Sequence, residues 1–275
     1  RMPLGRFAVL GYGSIGAQEL GFASDLDLVF VHDAPGDAVS DGLRPLDAGR
    51  YFLRVAQKLV ALLDTPTAAG KLYDVDVRLR PDGAKGLLVV SVGSFAAYQR
   101  ERAWTWEHQA LVRMRPLAGD PGLLAAIDAL RVEVLARPRD PAVLAGEVAA
   151  MRERMRRELD RSDAAAFDLK QGVGGLVDLE FALQEAVLRH ADAHPALRLP
   201  RHSADLLDAL AAVGIVAPAQ ARALAAAHAR LVEASLGCTL DRRPRRVPRD
   251  AAQPAAEVIA ALLPALSSGG AVEGP

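Results

Sequence analysis

Apolar and polar positions along this chain change their period twice, and the changes mark its elements. Near the amino terminus, Phe7 to Leu10 is a short apolar run ending in glycines, as a strand entering a tight turn would. A second run, Leu26-Asp27-Leu28-Val29-Phe30-Val31, is rich in β-formers. From Gly49 to Leu63 the apolar positions Phe52, Val55, Ala56, Leu59, Leu62 and Leu63 recur at helical spacing, and Thr65-Pro66-Thr67 ends the segment. Strict alternation follows from Leu72 to Arg80. Leu72, Asp74, Asp76, Arg78 and Arg80 fall on one face, and Tyr73, Val75, Val77 and Leu79 on the other. Pro81-Asp82-Gly83 turns the chain into another short strand, Leu87 to Val90, and Val92 to Arg115 reads as helical.

After Gly119-Asp120-Pro121 only the helical period remains. Leu123 to Leu135, Ala142 to Leu159, Leu176 to His190, Ala204 to Val213 and Pro218 to Leu236 all read as helices. The expected organisation is a mixed α+β domain over 1–119 and an all-helical domain over 120–242. A tail over 243–275 is read as poorly ordered, with one short helix over Ala255 to Leu263.

Chemistry enters where the first two runs meet. Gly11-Tyr12-Gly13-Ser14-Ile15-Gly16 is followed closely by Ser24-Asp25-Leu26-Asp27-Leu28. Alternation puts Asp25 and Asp27 on the same face of a strand, where two carboxylates repel unless a cation lies between them. Such oxygen ligands suit Mg²⁺, which completes its shell with water and substrate phosphates. The turn at Gly13-Ser14 offers backbone N–H groups and a hydroxyl to a phosphate. Two other readings compete: a dinucleotide-binding Gly-x-Gly-x-x-Gly, for which the second strand begins too early, and an ordinary capped turn with solvated acids.

A two-metal site needs further carboxylates. Asp76, on the polar face of the alternating strand, is the candidate, with Asp74 as the fallback. Arg78 and Arg80 share that face and either clamp phosphate oxygens or pair with the aspartates themselves. Lys170, Asp178 and Glu180 flank the pair Gly174-Gly175 at a helix start, where capping competes with closure over a nucleotide. Trp104 and Trp106 stand two apart in a helical stretch, so they cannot share one face. One is expected in the core and the other against a second domain, with base stacking or substrate contact as the competing reading.

Composition only bounds the answer. The 275 residues are 51% hydrophobic, ample for two cores, and the net charge of −1 provides no global field for nucleic acid. One cysteine, Cys238, excludes a disulfide framework within the chain and fits a reducing, cytoplasmic setting. No apolar run approaches the roughly 20 residues of a membrane span, and no signal peptide is visible. A chain that opens at Arg1 and enters a strand almost at once reads as a piece of something longer.

With these residues in place, the Gly-Ser turn and its Asp-x-Asp resemble the nucleotidyltransferase superfamily typified by DNA polymerase β. More narrowly they are similar to the glutamine synthetase adenylyltransferase family. The narrower likeness rests on further blocks: Thr67 to Pro81; Ala103-Trp104-Thr105-Trp106-Glu107-His108 running on to Arg113; Asp168-Leu169-Lys170; Gly174 to Phe181; and Leu188-Arg189-His190. Together they cover roughly residues 7 to 240. The resemblance implies a polymerase β-like fold, a small mixed sheet with flanking helices, followed by the helical domain. It also implies attack of a tyrosine hydroxyl of glutamine synthetase on the α-phosphate of ATP.

In that scheme Asp25, Asp27 and Asp76 hold two Mg²⁺ ions. Gly13, Ser14, Arg78, Arg80 and Lys170 face the nucleotide. The Trp-Thr-Trp-Glu-His and Val-Asp-Leu-Glu-Phe blocks resemble the adenylylating, carboxy-terminal half of a bifunctional enzyme. A PII-type regulator is an implied partner; nucleic acid and membrane are not. The alternatives within this reading are the adenylyl-removing half and a silent domain that only docks the synthetase or the regulator. Ser14 stands where the family usually has lysine, and the last thirty or so residues do not resemble the family's usual end.

Overall fold

The structure is a computed structural model that describes residues 5–22, 24–71 and 73–268. Two compact units divide the chain, Arg1–Val134 and Leu135–Pro275.

In the first unit, β1 (Phe7–Gly11) runs through the short helix α1 (Gly13–Ala17) to β2 (Leu26–His32). The two strands pair antiparallel, with Phe7 opposite His32 and Gly11 opposite Leu28. A dinucleotide-binding unit would need parallel strands here, so that reading of the glycines is excluded. The next strand, β3 (Val75–Asp76), pairs parallel with the start of β2, and β4 (Val89–Ser91) pairs parallel with its end. β5 (Arg115–Gly119) closes the far side against β1. The small mixed sheet thus runs β3-β2-β1-β5, with β4 following β3 along the outer edge of β2.

Alternation along β1 and β2 feeds two cores. Ala8, Leu10, Val29 and Val31 face one way. They pack with Phe95 of α3 (Val92–Glu101), Leu111 of α4 (Thr105–Val112), and Leu123, Ile127, Leu130 and Val134 of α5 (Pro121–Leu135). Leu28 and Phe30 face the other way, against Phe52 and Ala56 of α2 (Ala48–Asp64). Rings stack through this second layer: Phe7 on Phe52 with centroids 5.6 Å apart, and His32 on Phe52 at 4.9 Å. Burial on both faces is why β2 is uninterruptedly apolar from Leu28 to Val31.

Several elements differ from the sequence reading. The stretch from Val92 to Arg115 is two helices and a strand. α3 stops near Arg102, and Glu107 then reaches back to accept the Trp104 N–H at 2.9 Å, starting α4. Trp104 is exposed and Trp106 half-buried. α5, expected in the helical domain, instead supplies a core stripe to the sheet, so the first unit ends after it. The alternating strand shrinks to two residues; Leu72 lies outside the described residues. Beyond Asp76 the backbone turns, because the Arg78 N–H donates to Asp76 Oδ1 at 2.8 Å, a local bond that competes with the ladder.

The second unit holds α6 (Pro141–Leu159), α7 (Leu176–His190), α8 (Ser203–Ala212), α9 (Pro218–Leu240) and α10 (Arg249–Ser268). It is not all-helical: β6 (Ala166–Asp168) and β7 (Arg246–Pro248) form a two-stranded ribbon. Where a poorly ordered tail with a short helix was expected, α10 runs twenty residues and buries Ala252, Ala255, Ala256, Ile259, Ala265 and Leu266. The buried face is mostly alanine, which gives a weaker apolar period than Leu or Val would. Residues 269–275 of the expected tail lie outside the described residues. Gly174, at φ +77°, lets the α7 approach run directly against the Ala256 carbonyl, a space no side chain would leave open.

Candidate active site

Antiparallel pairing brings the end of β1 beside the start of β2, and the site is built at that end. The Tyr12 N–H donates to the Asp27 carbonyl at 2.9 Å, which fixes the turn against the strand. Gly13 then adopts φ +53°, a left-handed conformation costly to any residue with a β-carbon. A β-carbon there would also collide with Asp27 Oδ2, so the Asp27 carboxylate rests on the bare Gly13 backbone. Ser14 is half-buried, and its hydroxyl makes no hydrogen bond among the described residues.

The parallel register of β2 and β3 places Asp27 directly beside Asp76. Like charges in neighbouring register positions repel. Arg78 relieves this: its Nε donates to Asp76 Oδ2 at 2.8 Å and to Oδ1 at 3.0 Å, with a further close contact from Nη2. That guanidinium, chiefly through its hydrogen bonds, holds the Asp76 carboxyl below the usual range, against the opposing effect of burial. The Arg78 guanidinium is raised in turn, by Asp76 first and by Asp25 and Asp27 more weakly. Arg78 is largely exposed while Asp76 is sheltered (76% and 15% side-chain exposure), so the arginine lies over the carboxylates from the solvent side. Asp25 stands exposed just before β2.

The remaining candidates separate from this group. Asp74 is mostly exposed and paired with Lys71, which also reaches Asp64 at 3.1 Å. Its carbonyl accepts the Leu26 N–H at 2.8 Å, so Asp74 serves the backbone pairing rather than the carboxylate pair. Arg80 spends its guanidinium on the carbonyls of Val77 (2.6 Å), Gly86 (3.1 Å) and Ala84 (3.1 Å), bracing the loop after β3. Lys170 belongs to the second unit, exposed in a turn whose N–H groups at Lys170 and Gln171 are both capped by Asp168 Oδ1 at 2.9 Å. Asp178 is buried, bonded to Arg152 Nε at 2.5 Å, Arg156 Nη2 at 2.8 Å and the Gly174 N–H at 2.7 Å. That makes it a structural hub. Among the described residues no three Asp, Glu, His or Cys side chains are grouped so as to hold a metal ion.

Sequence reading missed the supports of the turn. Arg113, at the end of α4, forms a buried ion pair with Glu19, just past α1. Arg115 Nε donates to the Gly16 carbonyl at 2.8 Å. Arg113 closes one of the blocks that carry the family resemblance, but 94 residues separate it from Glu19 and nothing in the sequence near either announces the pairing.

Comparison with known proteins bears on the whole chain. Residues 1–130 match the family described as glutamate-ammonia ligase adenylyltransferase, and residues 144–263 match the PII-uridylyltransferase family. The second match runs through most of α10, so the carboxyl-terminal stretch is less foreign than its sequence implied. A bifunctional glutamine synthetase adenylyltransferase/adenylyl-removing enzyme of Stenotrophomonas maltophilia is 60% identical over 248 residues, 90% of this chain and 27% of that protein. Its namesake in Xanthomonas axonopodis is 57% identical over 260 residues, 94% of this chain and 28% of that protein. The one in Nitrosococcus oceani is 51% identical over 223 residues, 81% and 23% respectively. The chain thus spans about a quarter of the length of these relatives, and over the residues compared it is similar to proteins named bifunctional glutamine synthetase adenylyltransferase/adenylyl-removing enzymes.

Proposed function

We propose that this chain is the adenylylating domain of its family, with a polymerase β-like first unit. It transfers AMP from ATP to a tyrosine of glutamine synthetase. The observation that carries the reading is the Asp27–Asp76 register pair beside the Gly13 turn. A left-handed glycine turn and two acidic oxygen donors meet at one sheet end. The donor set suits a hard cation: the carboxylates offer only oxygens, and Arg78, which covers Asp76, is a largely exposed side chain. Asp25, Asp27 and Asp76 would hold Mg²⁺. When bound, the metal would neutralise the triphosphate and ease ionisation of a phenol whose ordinary pKa is near 10.

The chain's own residues do the rest. Gly13 and Ser14 present N–H groups and a free hydroxyl to the triphosphate. Arg78, once released from Asp76, has the reach and charge to pair with phosphate oxygens, whereas Arg80 keeps the β3 loop in place. The tyrosine oxygen forms a bond to the α-phosphorus as the bond to the β-phosphate oxygen breaks. Pyrophosphate leaves with that electron pair, and Asp76 is assigned to help accept the phenolic proton. Lys170 is retained as a nucleotide-binding residue. The second unit's likeness to a PII-uridylyltransferase supports a role in contact with a PII-type regulator.

The name shared by the relatives covers both addition and removal of AMP. The adenylylating direction rests on the Trp104 to His108 and Val177 to Phe181 blocks, which resemble the carboxy-terminal half. Two incubations separate the directions: unmodified synthetase with Mg-ATP, and adenylylated synthetase with phosphate. AMP gained in the first and none released in the second is the expected pair of results; the reverse would assign the removing activity.

A further inference from the structure

The helix α2 has two faces, and the sheet uses only one. Ala48, Phe52 and Ala56 point into the core. Tyr51, Arg54, Val55, Lys58 and Leu62 recur at helical spacing on the outside. That face is neither a plain solvated stripe nor a plain apolar one. Leu46, Tyr51, Val55 and Ala61 line a groove of about 490 Å³, and Arg54 and Lys58 line it with them. Leu62 continues the apolar strip along the helix at 71% exposure.

Neither Arg54 nor Lys58 makes an ion pair or side-chain hydrogen bond among the described residues, and no acidic residue lines the groove. The nearby Asp47 is occupied, capping α2 through the Arg50 N–H at 2.9 Å and pairing with the Arg50 guanidinium at 3.4 Å. Two unmatched cations one helical turn apart, standing over an apolar floor, complement an acidic segment with an apolar anchor. Position supports the same occupant. The inner face of α2 packs on Val75 and Tyr73, at the strand that carries Asp76, so a chain held on the outer face is tethered beside the site. A protein acceptor needs such a tether, since a single tyrosine side chain offers the catalytic residues little to recognise.

We propose that the outer face of α2, through Arg54 and Lys58 over the Leu46–Tyr51–Val55 floor, docks an acidic, apolar-anchored segment of the protein acceptor. The assignment rests on the adenylylation reading for the acceptor's identity. The test uses the whole chain with Arg54→Glu and Lys58→Glu together, against unmodified bacterial glutamine synthetase. Surface plasmon resonance reads synthetase binding, and initial rates give KM for synthetase and for ATP separately. The expected result is a rise in synthetase Kd and KM of about tenfold or more, with KM for ATP within about twofold and the melting temperature unchanged. Wild-type affinity should also fall with added salt, and the variant's should not.

Unchanged synthetase binding by the folded variant would overturn the proposal. So would loss of self-association in the variant with synthetase affinity intact, which would put a second copy of the chain on this face. Wild-type protein that binds synthetase in an Arg54- and Lys58-dependent way but transfers no AMP would uphold the docking face and defeat the adenylylation reading instead.

Discussion

The Asp27 carboxylate occupies the space that a β-carbon on Gly13 would fill. One glycine therefore does two things: it lets the backbone enter the left-handed region at φ +53°, and it lets an acid lie against the turn. Gly13→Ala is expected to cost about 1–2 kcal/mol for the conformation alone. It should also push Asp27 out of register with Asp76. Thermal unfolding and calorimetric ATP titration check both. A variant with wild-type stability and ATP affinity would contradict this account of the turn.

Asp27→Asn and Asp76→Asn should leave the fold intact, because each removes one of two repelling charges from a partly exposed site. Transfer should fall by more than about 100-fold, since even residues behind metal ligands are worth 10–100-fold in affinity or activity. AMP incorporation measured beside the melting temperature separates catalysis from folding.

Arg78 pairs with Asp76 in this structure, and the proposed function needs its guanidinium on phosphate oxygens when metal and nucleotide are bound. Arg78→Gln should tighten Mn²⁺ binding to the nucleotide-free protein by several-fold, read by paramagnetic resonance. The same variant should raise KM for ATP about tenfold, roughly 1.4 kcal/mol of lost phosphate contact. If both affinities fall together, Arg78 is bracing the site rather than exchanging partners.

The Glu19–Arg113 pair ties the turn to the end of α4 while both side chains are largely buried. Removing one member of such a pair strands the other, at a cost of about 3–5 kcal/mol. Arg113→Ala should show that loss in urea unfolding. Glu19→Gln combined with Arg113→Gln should cost less than the sum of the single changes.

His32 and His190 are both held below the ordinary histidine pKa of 6.5, first by burial; His190 is lowered further by Arg189 and His194. Each stays neutral in the fold after the unfolded chain has taken up its proton. Stability should therefore fall as pH drops below about 6.5 and be flat above it on their account. Carboxylates such as Asp76, lowered below 3.8, act only at more acid pH and leave this window clear. His32→Asn, which keeps an acceptor for the Ala34 N–H, should flatten the slope between pH 6.5 and 5.5 for the first unit. Urea midpoints at the two pH values measure it.

How much of this was legible in the sequence depended on range. The two opening strands, the Gly13 turn, Asp27 and the choice of Asp76 over Asp74 came from local period and turn chemistry; the antiparallel pairing of those strands did not, and the register sets Asp27 beside Asp76. The extent of the β3 strand did not, because an aspartate bonding its own backbone ended the ladder two residues in. α10 hid behind alanines and two internal prolines, Pro254 and Pro264. α5 looked like any amphipathic helix, and only packing shows that its stripe belongs to the sheet. The Glu19–Arg113 tether was invisible because a pair across 94 residues leaves no local pattern.

Mass spectrometry of glutamine synthetase after incubation with this chain and Mg-ATP tests the central claim most directly. The account expects one AMP added to a tyrosine by the wild-type chain, and none by Asp27→Asn. Unmodified synthetase, from a chain that still binds Mg-ATP, would contradict it.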